Sequence, residues 1–420
     1  MFPGVAVTVV SNQHVIGRDG SCQTVLDGQE ISRRHAEFRI GGPIVAITDL
    51  GSRNGVFVNG TRCQSSPLVK GDVLRCGEWV GVVVEGEPCD FAELAPGWYG
   101  GSTLRRAIEP AQRASADLPM VIQGATGTGK EGLARAIHRW SGRSGAFIAV
   151  NCAALPVHLA ESELFGHKKG AFTGAEKASP GLFRAAHQGT LFLDEIQELP
   201  ASIQPKLLRV LEQREVLPIG EVMPVPVDVR TVVATQTSLA KAAIEGRFRP
   251  DLHARLDGLT LVLPPLRARR EDIVPLFLQQ LSQNSPGRTT ALEPKFVEAL
   301  CIYDWPLNVR ELVQLVRRLA SVNAHEPILR TRHLPEPFMA HCRTHEPSSD
   351  SVDRRPSEPV KRDWRPTSDE SEFEALVAAL RNNQGSVARA AAALGVSRAR
   401  AYRLLSAHPE FSLDDARAEK

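Results

Sequence analysis

A glycine-rich segment gives this sequence a place where phosphate chemistry can occur. The run Gly124-Ala-Thr-Gly-Thr-Gly129-Lys130 follows an apolar stretch and precedes a helical pattern that includes Leu133 and Ile137. Its glycines let backbone N–H groups crowd around phosphate oxygens, and the start of the helix favours negative charge. We expect Lys130 to reach the β- and γ-phosphates of a nucleotide. The predicted ATP-binding residues in this segment are Gly124, Ala125, Thr126, Gly127, Thr128, Gly129, Lys130 and Glu131.

Two adjacent carboxylates follow a buried strand pattern further along the chain. Asp194 and Glu195 end the apolar run 191–193, which places them at the carboxyl edge of a parallel sheet, where α/β proteins bind ligands. Glu131 stands where a Ser or Thr would ligate magnesium, so we expect Asp194 to hold Mg²⁺ through water. Glu195 would polarise the attacking water. A plain glycine turn and a structural Asp-Glu pair are the alternatives.

The composition fits a modular globular protein. At roughly 150 residues per domain, 420 residues predict about three domains, and 42% hydrophobic with 23% charged residues excludes bulk disorder. The formal charge of +2 means that nucleic-acid contact requires a local basic patch. The seven scattered cysteines show no CxxC spacing. Because we also find no leader and no long apolar run, we expect a soluble cytoplasmic protein without a membrane segment.

The elements that must position these residues change character along the chain. Residues 1–92 read as short β runs between Gly-rich turns, which predicts an all-β sandwich. Residues 98–338 alternate helical patterns with apolar runs, which predicts a parallel sheet flanked by helices. The strands expected in the first segment are Val5–Val10, Ala36–Ile40, Ile44–Thr48, Val56–Val58 and Val80–Glu85, and those in the second are Met120–Gln123, Phe147–Val150, Thr190–Leu193 and Thr231–Ala234.

The last part of the chain reads as a linker followed by helices. Residues 339–369 are rich in Pro, Ser and alternating charge, which predicts a flexible linker. Residues 370–420 begin with Phe373, Leu376, Val377 and Leu380 at helical spacing. We therefore expect a small all-α domain at this end.

One pair of motifs carries a family resemblance. Glu161-Ser-Glu-Leu-Phe-Gly-His167 and the following Gly170-Ala-Phe-Thr-Gly-Ala175 are very similar to the sigma-54-contacting insertion of bacterial enhancer-binding proteins in the AAA+ family. The resemblance implies a P-loop ATPase with a helical lid that assembles as a homo-oligomer, expected to be a hexamer, and uses ATP and Mg²⁺ on sigma-54 RNA polymerase. The implied sigma-54 contacts are Gly170, Ala171, Phe172, Thr173, Gly174 and Ala175, and a core Phe beneath an ordinary turn is the alternative. Further matching segments are 151–155, 189–195, 248–252, 263–267 and 305–312.

The same resemblance assigns further roles around the nucleotide. It implies that Asn151 switches the orientation of Glu195, and that Arg249 and Arg255 reach the γ-phosphate across a subunit interface. Arg310 matches the position that senses nucleotide from the lid. Surface salt bridges are the alternative role for Arg249 and Arg255, and an ordinary arginine on a helix surface is the alternative for Arg310.

Several positions depart from the family pattern. Ala125 replaces a common Glu, and Leu307 replaces a common Gly before Asn308. Gln236 stands where the first nucleotide sensor is Asn or His, and Gln offers the same hydrogen bonds on a longer arm. This last departure bears on hydrolysis and its coupling, and it leaves nucleotide binding as predicted.

The N-terminal segment resembles a forkhead-associated (FHA) domain, a phosphothreonine-peptide reader. The matching signature is Gly17-Arg18, Ser32-Arg-Arg-His35, Asn54-Gly55 and Asn59-Gly60. The resemblance implies that Arg18 and Ser32 contact the phosphate, that Arg53 adds charge and that Asn54 holds the peptide backbone. We expect His35 to be a structural hydrogen-bonder. A sandwich that no longer binds phosphate is the alternative.

The C-terminal segment resembles a Fis-type helix-turn-helix. Gly395 lies at the predicted bend between two helices, and Ser397 can cap the second. The implied contacts with double-stranded DNA are Ser397, Arg398, Arg400 and Arg403, and a dimerisation hairpin is the alternative.

The motifs together predict a sigma-54-dependent transcription activator controlled by a phosphothreonine protein, which we expect to come from a Ser/Thr kinase pathway. One rival is a phosphorylation-dependent DNA-binding scaffold whose ATPase has weakened through Gln236. A second rival is a P-loop ATPase that acts on another target.

Overall fold

The computed structural model describes residues 13–41, 44–86, 91–115, 117–173, 175–287 and 289–338, together with Leu376, Val377, Leu380 and Val387. The described residues up to Phe338 belong to one compact unit, and the four later ones belong to a second.

The first part of the larger unit is a sandwich of two sheets. One sheet has the strand order β2-β1-β3-β4-β7 and the other β6-β5-β8-β9, with antiparallel pairing throughout except between β1 and β2. Side chains that alternate along the strands fill the space between the sheets, among them Ala36, Ile47 and Val56. The strands are β1 (Gln13–Gly17), β2 (Thr24–Val25), β3 (Ala36–Gly41), β4 (Ile44–Asp49), β5 (Val56–Val58), β6 (Thr61–Cys63), β7 (Ser65–Leu68), β8 (Val73–Cys76) and β9 (Trp79–Val82).

The sequence located three of these strands to within one residue, namely β3, β4 and β5. The strand predicted over 80–85 begins one residue earlier and ends at Val82. The strand predicted at 5–10 lies outside the described residues. A short hairpin of β10 (Ala92–Ala95) and β11 (Trp98–Gly100) leads into the next part of the chain.

The second part is built on a five-stranded parallel sheet with the order β13-β14-β17-β12-β18. Successive side chains point to opposite faces, so Leu191 and Leu193 enter one apolar cluster while Phe192 enters the other. All four predicted strands of this sheet are present. The strands are β12 (Met120–Gln123), β13 (Phe147–Asn151), β14 (Thr190–Asp194), β17 (Arg230–Thr235) and β18 (Leu259–Val262), with a separate small hairpin of β15 (Glu215–Val216) and β16 (Val225–Pro226).

Helices cover this sheet, and a helical lid follows it. The lid packs around the fully buried Trp305 and Phe296, and β19 (Ala291–Leu292) pairs with β20 (Ile328–Leu329) at its edge. The helices beside the sheet are α1 (Ser102–Arg113), α2 (Lys130–Trp140), α3 (Ala160–Phe165), α4 (Leu182–Ala185), α5 (Gln204–Gln213), α6 (Leu239–Ile244) and α7 (Pro250–Leu256), and those of the lid are α8 (Ile273–Asn284), α9 (Pro294–Ile302) and α10 (Asn308–Val322).

In the second unit, Leu376, Val377, Leu380 and Val387 are helical, and Leu376 and Leu380 are buried at the predicted i, i+4 spacing. The predicted linker 339–369 and the predicted DNA contacts Ser397, Arg398, Arg400 and Arg403 lie outside the described residues. Among the residues that the structure does describe, no helix has the length and apolar character needed to cross a membrane.

Candidate functional site

The predicted phosphate loop connects β12 to α2. Gly129 adopts a left-handed conformation with φ of 103° and begins the helix whose first residue is Lys130. The Lys130 side chain is buried, and its Nζ donates a hydrogen bond of 3.0 Å to the carbonyl oxygen of Gly124 at the start of the loop. The loop therefore folds around its own lysine at the carboxyl edge of the parallel sheet.

The lid donates hydrogen bonds to three consecutive carbonyl oxygens of this loop. Because these carbonyls point toward the lid, the peptide planes between them are fixed from one side. The approach is so close that a Cβ on Gly127 would lie 2.1 Å from the carbonyl oxygen of Leu307, so the position requires glycine. The bonds run from Asn308 Nδ2 to Thr126 (2.9 Å), from Val309 N to Gly127 (3.0 Å) and from Arg269 Nη2 to Thr128 (2.9 Å).

Asn308 and Arg269 are themselves held firmly. Asn308 is 1% exposed, has φ of 54°, and accepts a 2.7 Å hydrogen bond from the Leu266 amide on its Oδ1. Arg269 pairs with buried Asp272 at 3.4 Å, and Asp272 also accepts from the amide of Gly101 at 2.7 Å. Burial raises the pKa of Asp272 to about 6, although Arg269 opposes that rise. Neither lid residue was predicted from the sequence, because the partners of both are backbone atoms of a distant loop.

Glu195 lies beside Lys130 in an unusual backbone conformation. Its φ of 53° is left-handed, a conformation that a non-glycine residue adopts at a cost and that recurs at functional sites. Its Oε1 accepts a 2.8 Å hydrogen bond from Gln236 Nε2 and lies 3.7 Å from Lys130 Nζ. Its Oε2 accepts a 2.5 Å hydrogen bond from Gln197 Nε2. The structure thus brings the predicted sensor position onto the predicted catalytic carboxylate and adds Gln197.

Asp194 has the properties of a carboxylate suited to a cation. It is half-buried at the end of β14, and burial raises its pKa while nearby Lys130 lowers it. Carboxylate oxygens are the ligands that Mg²⁺ prefers. Glu131, by contrast, is exposed and pairs with Arg135 at 2.7 Å. The side chains here fit a magnesium ion with Asp194 as the acidic ligand.

Asn151 occupies the residue position next to Asp194 on the neighbouring strand. Its Oδ1 accepts a 3.0 Å hydrogen bond from the amide of Ala153 and so caps the short 3-10 helix that follows. In this arrangement the two glutamines hold Glu195 while Asn151 serves as a cap. The proposed switching role of Asn151 stays a prediction.

The two arginines predicted to act across a subunit interface lie at α7. Arg249 precedes the helix, is half-exposed and forms a two-bond pair with Asp251, which raises the pKa of Arg249. Arg255 donates to the carbonyl oxygen of Leu211 at 2.9 and 3.3 Å. Arg310 is exposed in the first turn of α10, and its Cβ would lie 3.0 Å from a Cβ on Gly127 of the phosphate loop. Arg310 therefore lies beside the phosphate loop of its own chain, and its role as a nucleotide sensor stays a prediction.

The predicted sigma-54 contact loop is a tight turn that exposes its aromatic residue. Phe172 is 38% exposed, Thr173 is exposed and Ala175 is buried, while Gly174 lies outside the described residues. The Gly170 amide donates to the Ala175 carbonyl oxygen at 2.8 Å and closes the turn. This arrangement leaves the Phe and the Thr at the tip.

His167 anchors the base of that loop. Its ring lies 5.0 Å from the ring of Phe172, centroid to centroid, and its nitrogens bond Ser162 Oγ at 2.7 Å and the Lys177 carbonyl oxygen at 3.0 Å. A neighbouring segment contributes exposed apolar side chains, with Val222 88% and Met223 75% exposed. This segment follows Gly220, where an added Cβ would lie 3.2 Å from Ala171 Cβ, and it has no signature in the sequence.

The four predicted phosphopeptide residues meet at one end of the sandwich. The Arg18 amide donates to the Ser32 carbonyl oxygen at 3.1 Å, and the Arg53 amide donates to Ser32 Oγ at 3.1 Å. Asn54 Nδ2 donates to the carbonyl oxygen of Glu30 at 2.8 Å. Arg18 and Arg53 have exposed side chains, which gives this end positive charge suited to a phosphate.

Two buried features hold these loops together. His35 is fully buried; its Nδ1 accepts from the Ser32 amide at 3.1 Å, and its Nε2 lies 3.2 Å from the carbonyl oxygen of Gly55. A Cβ on Gly17 would lie 2.2 Å from the carbonyl oxygen of Arg33, so only glycine allows the first loop to approach the second. His35 therefore has the structural role expected of it.

Three protein families match separate parts of the chain. Residues 14–77 match the FHA domain, residues 101–262 match the sigma-54 interaction domain, and residues 267–351 match the AAA+ ATPase lid domain. The order of the three matches follows the order of the sandwich, the parallel sheet and the lid.

Curated relatives and solved structures agree with these matches. The regulatory protein AtoC of Escherichia coli (strain K12) is 41% identical over 337 residues, which cover 77% of this chain and 70% of AtoC. The hydrogenase transcriptional regulatory protein HoxA of Cupriavidus necator is 46% identical, but this chain spans only 48% of its length. The crystal structure of NtrX from Brucella abortus in complex with ATP has a TM-score of 0.51 at 29% identity and covers 77% of this chain and 69% of NtrX. Its complex with ADP gives 0.52 at 28% identity, with 73% and 68% covered.

Proposed function

This chain belongs to the sigma-54-dependent transcriptional activators, and on that premise we propose that it binds upstream DNA and uses ATP to remodel the closed complex of sigma-54 RNA polymerase. The chain is an AAA+ ATPase, and its FHA module gives the activator a phosphothreonine-controlled input. The observation that carries the proposal is the exposed Phe172-Thr173 tip on the same α/β body as Lys130 and Glu195.

The residues of the nucleotide site divide the work of hydrolysis. Lys130 binds the β- and γ-phosphate oxygens, and the loop amides that precede it orient them. Glu195, held by Gln197 and Gln236, accepts a hydrogen bond from the attacking water and polarises it. Asp194 would hold Mg²⁺ through water, and the ion would supply neutralising charge on the phosphates. Positioning and electrostatics, and not covalent chemistry, therefore carry the reaction.

Assembly completes the site. Arg249 and Arg255 lie on a different element from the phosphate loop, and their planar charges suit the γ-phosphate of a neighbouring subunit in a homo-oligomer, which we take to be a hexamer. Arg249 would exchange its exposed pair with Asp251 for that contact. Hydrolysis around the ring would then move the tip of the 170–175 loop against the sigma factor.

The proposed control begins at the sandwich and the output ends at DNA. A phosphothreonine protein from a Ser/Thr kinase pathway would bind at Arg18, Ser32, Arg53 and Asn54. Ser397, Arg398, Arg400 and Arg403 would place the ring near the promoter by contacting double-stranded DNA. We place all of this in the cytoplasm, where the polymerase acts.

Open-complex formation by sigma-54 polymerase on a supercoiled promoter tests the proposal. We expect opening that requires the activator and hydrolysable ATP, and no opening with Glu195→Gln, which keeps the size and planar shape of the side chain but loses the negative charge that polarises water. Promoter opening that proceeds equally with Glu195→Gln would contradict it. If the intact protein opens no promoter even with a phosphorylated partner present, the result would favour the rival function, a phosphorylation-dependent DNA-binding scaffold.

A further inference from the structure

The FHA sandwich is packed against the ATPase lid. Helix α9 of the lid lies against strands β8 and β9 of the sandwich. Val73 of β8 is fully buried in the same apolar cluster as the lid residues Phe296 and Trp305, and Val80 and Val82 pack against that cluster. The sandwich thus contributes side chains to the core of the lid, as a fixed part of a fold does.

A buried ion pair fixes how the two parts meet. Arg75 Nε of β8 donates to Glu298 Oε2 of α9 at 2.7 Å, and both side chains are about nine-tenths buried, at 10% and 8% exposure. The Arg75 guanidinium also lies 3.7 Å from the ring centroid of Phe57 on β5. Because a buried charge without its partner is costly, this pair selects one docking geometry over displaced ones.

Two consecutive residues join this interface to the nucleotide site. Arg270 Nη1 donates to the carbonyl oxygen of Gly71 in the sandwich at 2.8 Å. Its neighbour Arg269 donates to the carbonyl oxygen of Thr128 in the phosphate loop at 2.9 Å. Arg269 and Arg270, side by side where the short 3-10 turn Arg270–Asp272 begins, therefore hold the phosphate loop and the FHA module respectively.

The module also contacts the part of the ATPase that carries the sheet. Arg106 of α1 donates from Nη2 to the carbonyl oxygen of Glu85, just beyond β9, at 3.0 Å. The sandwich is thereby attached both to the part of the chain that carries the sheet and to the lid. Attachment to both parts limits how far the lid can rotate relative to the sheet.

We propose that the FHA module is a brace of the ATP site, which holds the lid where Arg269, Asn308 and Val309 bind the phosphate-loop carbonyls. The inference rests on the proposed function and supplies a route for its control. The side chains of Arg18 and Arg53 stay exposed while the module is docked, so a phosphopeptide can bind without undocking. Strand β5 begins directly after Asn54-Gly55 and carries Phe57, whose ring lies against Arg75. Strand β5 therefore connects the loop predicted to bind the peptide to the interface with the lid.

Nucleotide affinity of the full chain tests the brace. The probe is a fluorescent ADP analogue titrated into wild type, Arg75→Gln, Glu298→Gln, the double variant and Arg39→Gln as control. Arg39 is an exposed arginine on the same sandwich, whose partner Glu37 is also on the sandwich. Each interface variant is expected to weaken binding by about fivefold or more, since coupling of this kind has that size. The control is expected to bind like wild type.

The double variant separates the brace from a general loss of folding. Each single change leaves one buried charge unpaired, whereas the double change leaves none. The double variant is therefore expected to bind the ADP analogue more tightly than the single variant with the lower affinity. If circular dichroism shows that a single variant is unfolded, the comparison passes to Arg270→Lys, which retains the charge but cannot reproduce the guanidinium bonds to Gly71 and Ile302. The same weakening is expected there.

Wild-type nucleotide affinity in the folded interface variants overturns the brace. That outcome leaves the proposed function intact, because promoter opening by the unmodified protein is measured separately. Weaker binding in Arg39→Gln, equal to that of Glu298→Gln, would also overturn it, since the effect would not depend on the interface.

Discussion

Gln236 Nε2 donates a 2.8 Å hydrogen bond to Oε1 of Glu195. Gln236, at the position where the family resemblance implies an Asn or His sensor, thus reaches the proposed catalytic carboxylate directly, on the longer arm of a glutamine. Gln197 donates to the second carboxylate oxygen, so both oxygens of Glu195 are held by hydrogen bonds. The backbone of Glu195 is left-handed. The departure at residue 236 therefore has a defined structural role.

Gln236→Ala is expected to lower kcat for ATP hydrolysis by about tenfold to a hundredfold, because Glu195 loses one of the two bonds that set its direction. KM for ATP is expected to change little, since the phosphate loop is untouched. Steady-state ATPase assays check both values. A matched Gln197→Ala variant removes the other bond, and unchanged kcat in both variants would contradict the assigned role.

Asn308→Asp is expected to weaken ATP binding by roughly tenfold, about 1.4 kcal/mol. The change keeps the size of the side chain and the oxygen that accepts from Leu266, but it replaces the donor to Thr126 with a second acceptor. Two oxygens then face each other at the phosphate loop. Isothermal titration with ATP measures the effect, and thermal unfolding reports whether the lid stays folded. Wild-type affinity in a folded variant would show that this contact does not position the loop.

Asp272 is expected to make stability depend on pH in the acidic range. Its pKa rises from 3.8 to about 6 on burial, so between these values the native state binds more protons than the unfolded chain. Its contribution is therefore fully present below about pH 3.8 and is lost as the pH rises through about 6. We expect the free energy of unfolding of wild type, measured with urea and taken relative to Asp272→Asn, to fall by roughly 1 to 3 kcal/mol over this window. If the free energy of unfolding of wild type relative to Asp272→Asn instead rose with pH, the prediction would be contradicted.

Arg18→Ala is expected to weaken binding of phosphothreonine peptides by about 2 kcal/mol, the usual size for a hydrogen bond to a charged group. Arg39→Ala serves as control, because Arg39 lies on β3 and pairs with Glu37. A degenerate phosphothreonine peptide pool and its unphosphorylated counterpart, both measured by fluorescence anisotropy, give the comparison. Equal loss in both variants would mean that total charge and not the loop site attracts the peptide.

The hydrophobic pattern of the sequence predicted the longer buried strands but not the shortest ones. Buried parallel strands are continuous apolar runs, so β12 was located to the residue and β14 to within one. Short strands such as β2 and β6 have two or three residues and too little periodicity to detect. They form because neighbouring strands offer them hydrogen bonds, and the local sequence does not reveal which strands will be neighbours.

The nucleotide and FHA residues were predicted because their motifs are contiguous. Arg269 and Asn308 were missed because their partners are backbone carbonyls more than a hundred residues away, which side-chain types do not reveal. The pair Arg75 and Glu298 was missed because its members are 223 residues apart and each reads as an ordinary surface charge in its own element. Docking of one module on another follows from shape, and only the folded structure displays it.

In the function proposed above, the ATPase acts on sigma-54 polymerase through the tip of the 170–175 loop. Thr173→Ala most directly tests it, because Thr173 is exposed at that tip and lies on another element than Lys130 and Glu195. ATP hydrolysis and open-complex formation are measured on the same preparation. We predict wild-type hydrolysis, within about twofold, and loss of at least about nine-tenths of promoter opening, because the hydroxyl contact is made only with the partner. Full promoter opening by Thr173→Ala, at wild-type hydrolysis, would contradict the account.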